Sequence, residues 1–158
     1  MKRLVVKFGG SSVGTIEKIK KVANIIKRLS ESNEIIVVVS AMSGVTNELK
    51  AKSDLISKNF DNKELDVLLS SGEQVSCSLL SGALIDLGVK ARSWLGWQIP
   101  IVTNDNYTSS QIVKIKTNEI LNFISKKGVA VIQVFREFQT KLELLLWVEG
   151  ALIYPRSR

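Results

Sequence analysis

Histidine is absent from this 158-residue chain, and cysteine occurs once, at Cys77. Without an imidazole there is no histidine base and no histidine metal ligand, and a single thiol excludes both an intramolecular disulfide and a thiolate metal cluster. No apolar run reaches the length of a membrane span. Met1-Lys2-Arg3 leads only into a short apolar run that ends at Lys7, which is not a secretory leader, so a cytoplasmic protein without membrane contact is expected. Although the formal charge is +7, no aromatic-basic stripe accompanies the lysines, and Lys18, Lys20, Lys21 and Lys27 spread along a helical face. Nucleic acid is therefore not the expected partner, and an anionic small substrate fits the charge instead. Internal repeats and low-complexity linkers are also missing. The length suits one domain or a piece of one.

What is present alternates between buried-strand and helical patterns. Leu4-Val5-Val6 reads as a buried strand, Ile16, Ile19, Val22, Ile25 and Ile26 recur at helical spacing, and Ile35 to Val39 is a second continuous apolar run. This is a βαβ unit of a parallel sheet, with a right-handed crossover expected. A further helix is predicted to carry Leu49, Leu55 and Ile56. Leu65 to Leu69 leads into a long helix towards Leu87, ended by Gly88. Trp94-Leu95-Gly96-Trp97 before Ile99-Pro100-Ile101-Val102 suggests a hairpin or strand pair with Gly96 in the turn. Ile112 to Ile124 has helical spacing, and Val129 to Ile132 is a last strand.

Three segments carry candidate chemistry. Lys7-Phe8-Gly9-Gly10-Ser11-Ser12 joins the first strand to the first helix. Glycines there allow close backbone approach to an anion, the helix start offers N–H groups, and Lys7 adds a full positive charge. The bland alternative is a plain turn with a solvated lysine. Ser40 to Asn47 forms a second strand-to-helix loop, rich in hydroxyls, expected to meet the first across the carboxyl edge of the sheet. Its alternative is helix capping by Ser43 or Thr46. The third segment is Ser70-Ser71-Gly72-Glu73, where Glu73 suits an ammonium group or else closes a capping box with Ser70. Cys77, one turn later on an apolar face, reads as core filling.

In order, VVKFGGSSVG (Val5 to Gly14), VVVSAMSGVTNEL (Val37 to Leu49) and LLSSGEQVSCSLLSGALIDLGVKARSWLGWQIPIVT (Leu68 to Thr103) resemble aspartate kinase, within the amino-acid kinase superfamily. The resemblance covers about Met1 to Gln133. It implies an α/β fold, a three-layer αβα sandwich with a mostly parallel sheet, here truncated. It further implies transfer of the ATP γ-phosphoryl group to the β-carboxylate of L-aspartate, with ATP and Mg2+ as cofactors. By motif, Lys7 would be catalytic, and Lys7, Phe8, Gly9, Gly10, Ser11 and Ser40 would hold the nucleotide. Ser40, Thr46 and Glu73 would hold the substrate, Glu73 by its amino group. The family commonly dimerises through parts missing from this sequence.

After Gln133 the motif pattern stops, giving the expected division into 1–133 and a non-family tail, 134–158. Read from the third base of each degenerate codon, Val134 to Phe138 permits FQGI, and Leu142 to Ile153 permits ITTLGRGGSD, both motifs of the resembled family. A single-base deletion near the Gln133 codon would produce that relation, and a tail of this origin is expected to be poorly packed or merely helical. Two alternatives to an active kinase stand beside it. One is an inactive fragment of an aspartate kinase gene. The other is a Rossmann-type module, although GxGxxG is lacking.

Overall fold

The computed structural model of the chain describes residues 1–99, 101–103, 112–115, 117–133 and 152–154. Among these the chain runs β1 (Lys2–Phe8), α1 (Ile16–Ser30), β2 (Asn33–Val39), α2 (Val45–Ile56), α3 (Asn62–Asp86), β3 (Ala91–Trp94), β4 (Ile101–Thr103), β5 (Ile112–Ile115), α4 (Asn118–Ser125), β6 (Val129–Gln133) and β7 (Leu152–Tyr154). Continuous apolar strands need cover on both faces, and the sheet has it. Its order is β3-β6-β2-β1-β7, with every ladder parallel.

Alternate residues of each central strand enter two separate cores. Val6, Phe8, Val37, Val39 and Val131 pack on one face, under α1 (Ile19, Ile26) and α3 (Leu80, Leu84). Val5, Ile36, Val38 and Ile132 pack on the other, against α4 through Ile120 and Ile124 and against Trp94. This is the expected three-layer sandwich. Thr15 caps α1 by accepting the Lys18 N–H at 3.3 Å. Lys27 Nζ donates to the Leu87 carbonyl at 2.9 Å, tying the end of α1 to the end of α3. Beyond Asp86, the Val89 and Gly88 N–H groups return to Leu84 and Ile85, at 3.0 and 2.9 Å, so Gly88 ends the helix as predicted.

Several expectations change. Leu55 and Ile56 do lie on α2, but they are 87% and 78% exposed, so that helix is held through its other side. No hairpin turns at Gly96: Leu95 accepts from the Gln98 and Ile99 N–H groups in a tight helical turn, and β3 joins β6 instead. The antiparallel pair is β4 with β5. Ile112 to Ile124 is not one helix, because Ile112–Ile115, with three β-branched residues around Lys114, is extended and α4 begins only at Asn118. From the tail, Leu152–Tyr154 is neither helical nor unpaired, since it lies parallel to β1 with Leu152 opposite Leu4. Pro100 and the remainder of the tail lie outside the described residues.

Candidate active site

In a parallel sheet the loops after each strand gather at the carboxyl edge, and three chemistry-bearing segments meet there. The first loop (residues 9–15) leaves β1 with the Ser12 N–H bonded to the Gly9 carbonyl at 2.9 Å. The second loop (residues 40–44) leaves β2. They are joined at their roots, where the Ser40 N–H donates to the Phe8 carbonyl at 3.3 Å. Further out they touch backbone to backbone. A Cβ on Gly10 would stand 2.7 Å from the Ala41 carbonyl oxygen, closer than any side chain tolerates, so only glycine permits this approach.

The long helix α3 closes the third side. Ser76 Oγ donates to the Ser40 carbonyl at 2.7 Å. At Gly72 the helix lies against Ala41 and Val45, where an added Cβ would be 3.1 Å from a side-chain carbon of each. Leu80 and Leu84, fully buried, hold the same helix to the sheet below. The second loop is thus clamped between the first loop and α3.

Each predicted residue can now be placed. Phe8 is 6% exposed with its ring in the core, so it offers only its carbonyl to the edge. Gly9 and Gly10 form the turn, and Ser11 is exposed with its carbonyl accepting from Lys18 Nζ at 2.9 Å. Lys7 is half-buried at the end of β1. Strand alternation puts it on the α4 face, opposite Val6 and Phe8, so it meets the loops from the far side of the sheet edge. Ser40 sits at the junction of all three segments. Thr46 is in the first turn of α2, whose cap is Gly44 at φ +87 with no side-chain cap bond. Capping by Ser43 or Thr46, the alternative read from the sequence, is therefore replaced by a left-handed glycine. The first turn of α2 keeps N–H groups for another acceptor.

The capping box at Ser70 and Glu73 is also corrected. α3 has already begun at Asn62, capped by Asp61 through the Lys63 and Glu64 N–H groups, so Ser70 and Glu73 are mid-helix. Ser70 Oγ returns to the Val67 carbonyl at 2.7 Å. Glu73 is 7% exposed, a carboxylate kept inside the fold on the face of α3 nearest the sheet edge. Both Lys7 and Glu73 engage other residues of the fold. Cys77 is core, as expected. Burial pushes its thiol up to about 12, against a smaller opposing pull from a backbone hydrogen bond with Trp94, so it is not a nucleophile.

Sequence reasoning missed Ser76 and the Ala41 carbonyl. Ser76 lies one turn beyond Gly72 on the buried side of α3, a spacing that marked it in principle; a backbone carbonyl leaves no such signal. Among the described residues no cluster of three or more carboxylate, cysteine or histidine groups is placed to hold a metal. No helix there is long and apolar enough to cross a membrane.

Residues 2–150 match the amino acid kinase family, past Gln133 where the motif resemblance ends. An aspartokinase of Rickettsia bellii is 41% identical over 140 residues, covering 86% of this chain and 34% of the relative. Among solved structures, aspartate kinase from Synechocystis superposes with a TM-score of 0.78 at 32% identity, covering 98% of this chain and 28% of that one. Aspartokinase III of E. coli, in complex with aspartate and ADP, shares the fold at TM-score 0.70 and 20% identity, covering 85% of this chain and 41% of that one. The chain spans about a third of the length of the curated relatives it matches.

Proposed function

Because this chain belongs to the amino acid kinase family, we propose that its three converging segments serve aspartate kinase chemistry, phosphoryl transfer from ATP to the β-carboxylate of L-aspartate. The observation that carries this reading is the close backbone approach of Gly10 to Ala41, which brings the glycine loop against the second loop where a Cβ on Gly10 would stand 2.7 Å from the Ala41 carbonyl oxygen. Two strand-to-helix loops held this close, each leading into a helix start, suit a phosphate. The family match also stands against the dinucleotide-binding alternative.

In this reaction a carboxylate oxygen of aspartate attacks the γ-phosphorus, a P–O bond forms, and the bond to the bridging oxygen of ADP breaks. The attacking carboxylate is already ionised at neutral pH, so no proton is removed and no general base is required. A chain without histidine can carry this reaction. What it needs is alignment and neutralisation of charge. The N–H groups around Gly9 and Gly10 and the first turn of α2 would hold phosphate oxygens, with Lys7 approaching over the edge of the sheet. Ser40 and Thr46 would border nucleotide and substrate, and Glu73 would hold the aspartate ammonium. The Mg2+ of this reading would come with the nucleotide phosphates, whose charge it would offset.

Hydroxylamine trapping of the acyl phosphate tests the proposal on the full chain. ATP- and aspartate-dependent hydroxamate is expected, lowered about 100-fold or more in Lys7→Met. Binding of ATP and aspartate without hydroxamate would leave the inactive-fragment reading. Binding of neither would overturn the proposal.

A further inference from the structure

Gln133 ends β6 at the carboxyl edge of the sheet. It is 4% exposed, and among the described residues its Oε1 is a buried acceptor with no hydrogen-bond partner. A buried carbonyl left unpaired is costly, so an oxygen in this position calls for a donor. Register and alternation locate it. Gln133 stands opposite Val39, the residue before Ser40, and shares its face with Val129 and Val131, the face covered by α3.

The height of α3 above that face is fixed by Cys77, whose Sγ donates to the Val131 carbonyl at 3.2 Å. From Cys77 one turn back towards the edge is Glu73, a rise of about 6 Å. From Val131 two residues on is Gln133, an advance of about 7 Å in the same direction. The two steps bring the buried carboxylate and the unpaired amide oxygen to one level, from helix and from sheet. A buried carboxylate and an unpaired amide oxygen at one level would together suit a group with several donors and a positive charge.

We propose that Gln133 is a substrate-binding residue, its Oε1 sharing with Glu73 the ammonium group of the amino-acid substrate. This rests on the aspartate kinase reading above and deepens it: the site selects for a free α-ammonium, not merely for a dicarboxylate. Gln133 owes nothing to the motifs that suggested the other residues. Its burial and missing partner single it out.

Calorimetric titration of the full chain with L-aspartate and with succinate, the same dicarboxylate without the ammonium, tests this. The native chain is expected to prefer L-aspartate. Gln133→Leu and Gln133→Met are each expected to weaken L-aspartate binding about tenfold, the loss of one hydrogen bond to a charged group, while succinate binding is unchanged. Both variants delete an unsatisfied buried oxygen, so both should melt at the native temperature or above. An unchanged preference for L-aspartate in both variants overturns the role of Gln133 and leaves the kinase reading intact. A lower melting temperature in both also overturns it, since the oxygen would then have a structural partner. Failure of the native chain to bind L-aspartate overturns the aspartate kinase reading and this subsite together.

Discussion

Gly10 is the residue on which the two loops depend most directly. Gly10→Ala places a methyl carbon 2.7 Å from the Ala41 carbonyl oxygen, a backbone atom that cannot rotate away. The loops must part, at a cost of about 1–3 kcal/mol, the range for forcing atoms into a packed region. Urea unfolding should show that loss, and calorimetry should show ATP affinity falling with it. Gly9 offers a control. A Cβ there meets nothing within 4 Å, so Gly9→Ala should leave stability within about 0.5 kcal/mol of native.

Cys77 makes a prediction of a different kind. The ordinary thiol value of 9.0 applies once the chain unfolds, whereas burial holds it at about 12 in the fold. Between those values the unfolded chain has shed its proton and the folded chain has not. The stability this group contributes is therefore complete below pH 9 and is lost as pH rises towards 12, by about 4 kcal/mol at most. Comparing urea unfolding of the native chain and Cys77→Ala across that window isolates the effect: the native chain should lose stability relative to the variant as pH rises. Thiol reagents at pH 8 should leave the folded protein unmodified and label one site after denaturation.

At the scale of elements, α3 is the part that fixes the second loop. Ser76 ties it to that loop, its Oγ donating to the Ser40 carbonyl at 2.7 Å. Ser76→Ala should cost about 1–2 kcal/mol by leaving the carbonyl unpaired, whereas the exposed Ser78→Ala should be neutral in the same urea titration.

The elements also show what a sequence makes legible. β1, α1, β2 and β6 were readable because each is long enough for its period to speak: unbroken apolar runs for strands buried on both faces, and Ile19, Val22 and Ile26 for the helix. The start of α3 was obscured because Asp61 caps it through the polar Asn62-Lys63-Glu64, ahead of the apolar lead-in at Leu65, so Ser70 and Glu73 offered a second capping pattern inside the helix. Short strands misled for another reason. Ile112 to Ile115 contains both periods over four residues, and its pairing with β4 depends on a distant segment that local pattern does not encode. At the site, the residue types of Lys7, Gly10, Ser40 and Glu73 were legible, while the convergence of their segments required the register of β1 with β2 and the position of α3.

For the whole molecule, the parallel sheet explains why three segments distant in sequence share one edge. β1 and β2 lie side by side, so their carboxyl-end loops emerge as neighbours, and α3 crosses above them with Glu73 buried and Ser76 bonded. On the other face α4 supports the sheet through Ile120 and Ile124. The amino acid kinase family match and the superposition on aspartate kinase from Synechocystis agree with this arrangement. The proposed phosphate site is local: the phosphates of ATP would lie where the first and second loops approach each other.

Titration of the 15N-labelled chain with a non-hydrolysable ATP analogue, followed through backbone amide resonances, tests that claim most directly. The account predicts the largest shifts at Gly9, Gly10 and the first turn of α2 around Val45 and Thr46, with small shifts on α4. Saturable shifts confined to residues away from both loops, or none at millimolar nucleotide, would contradict it.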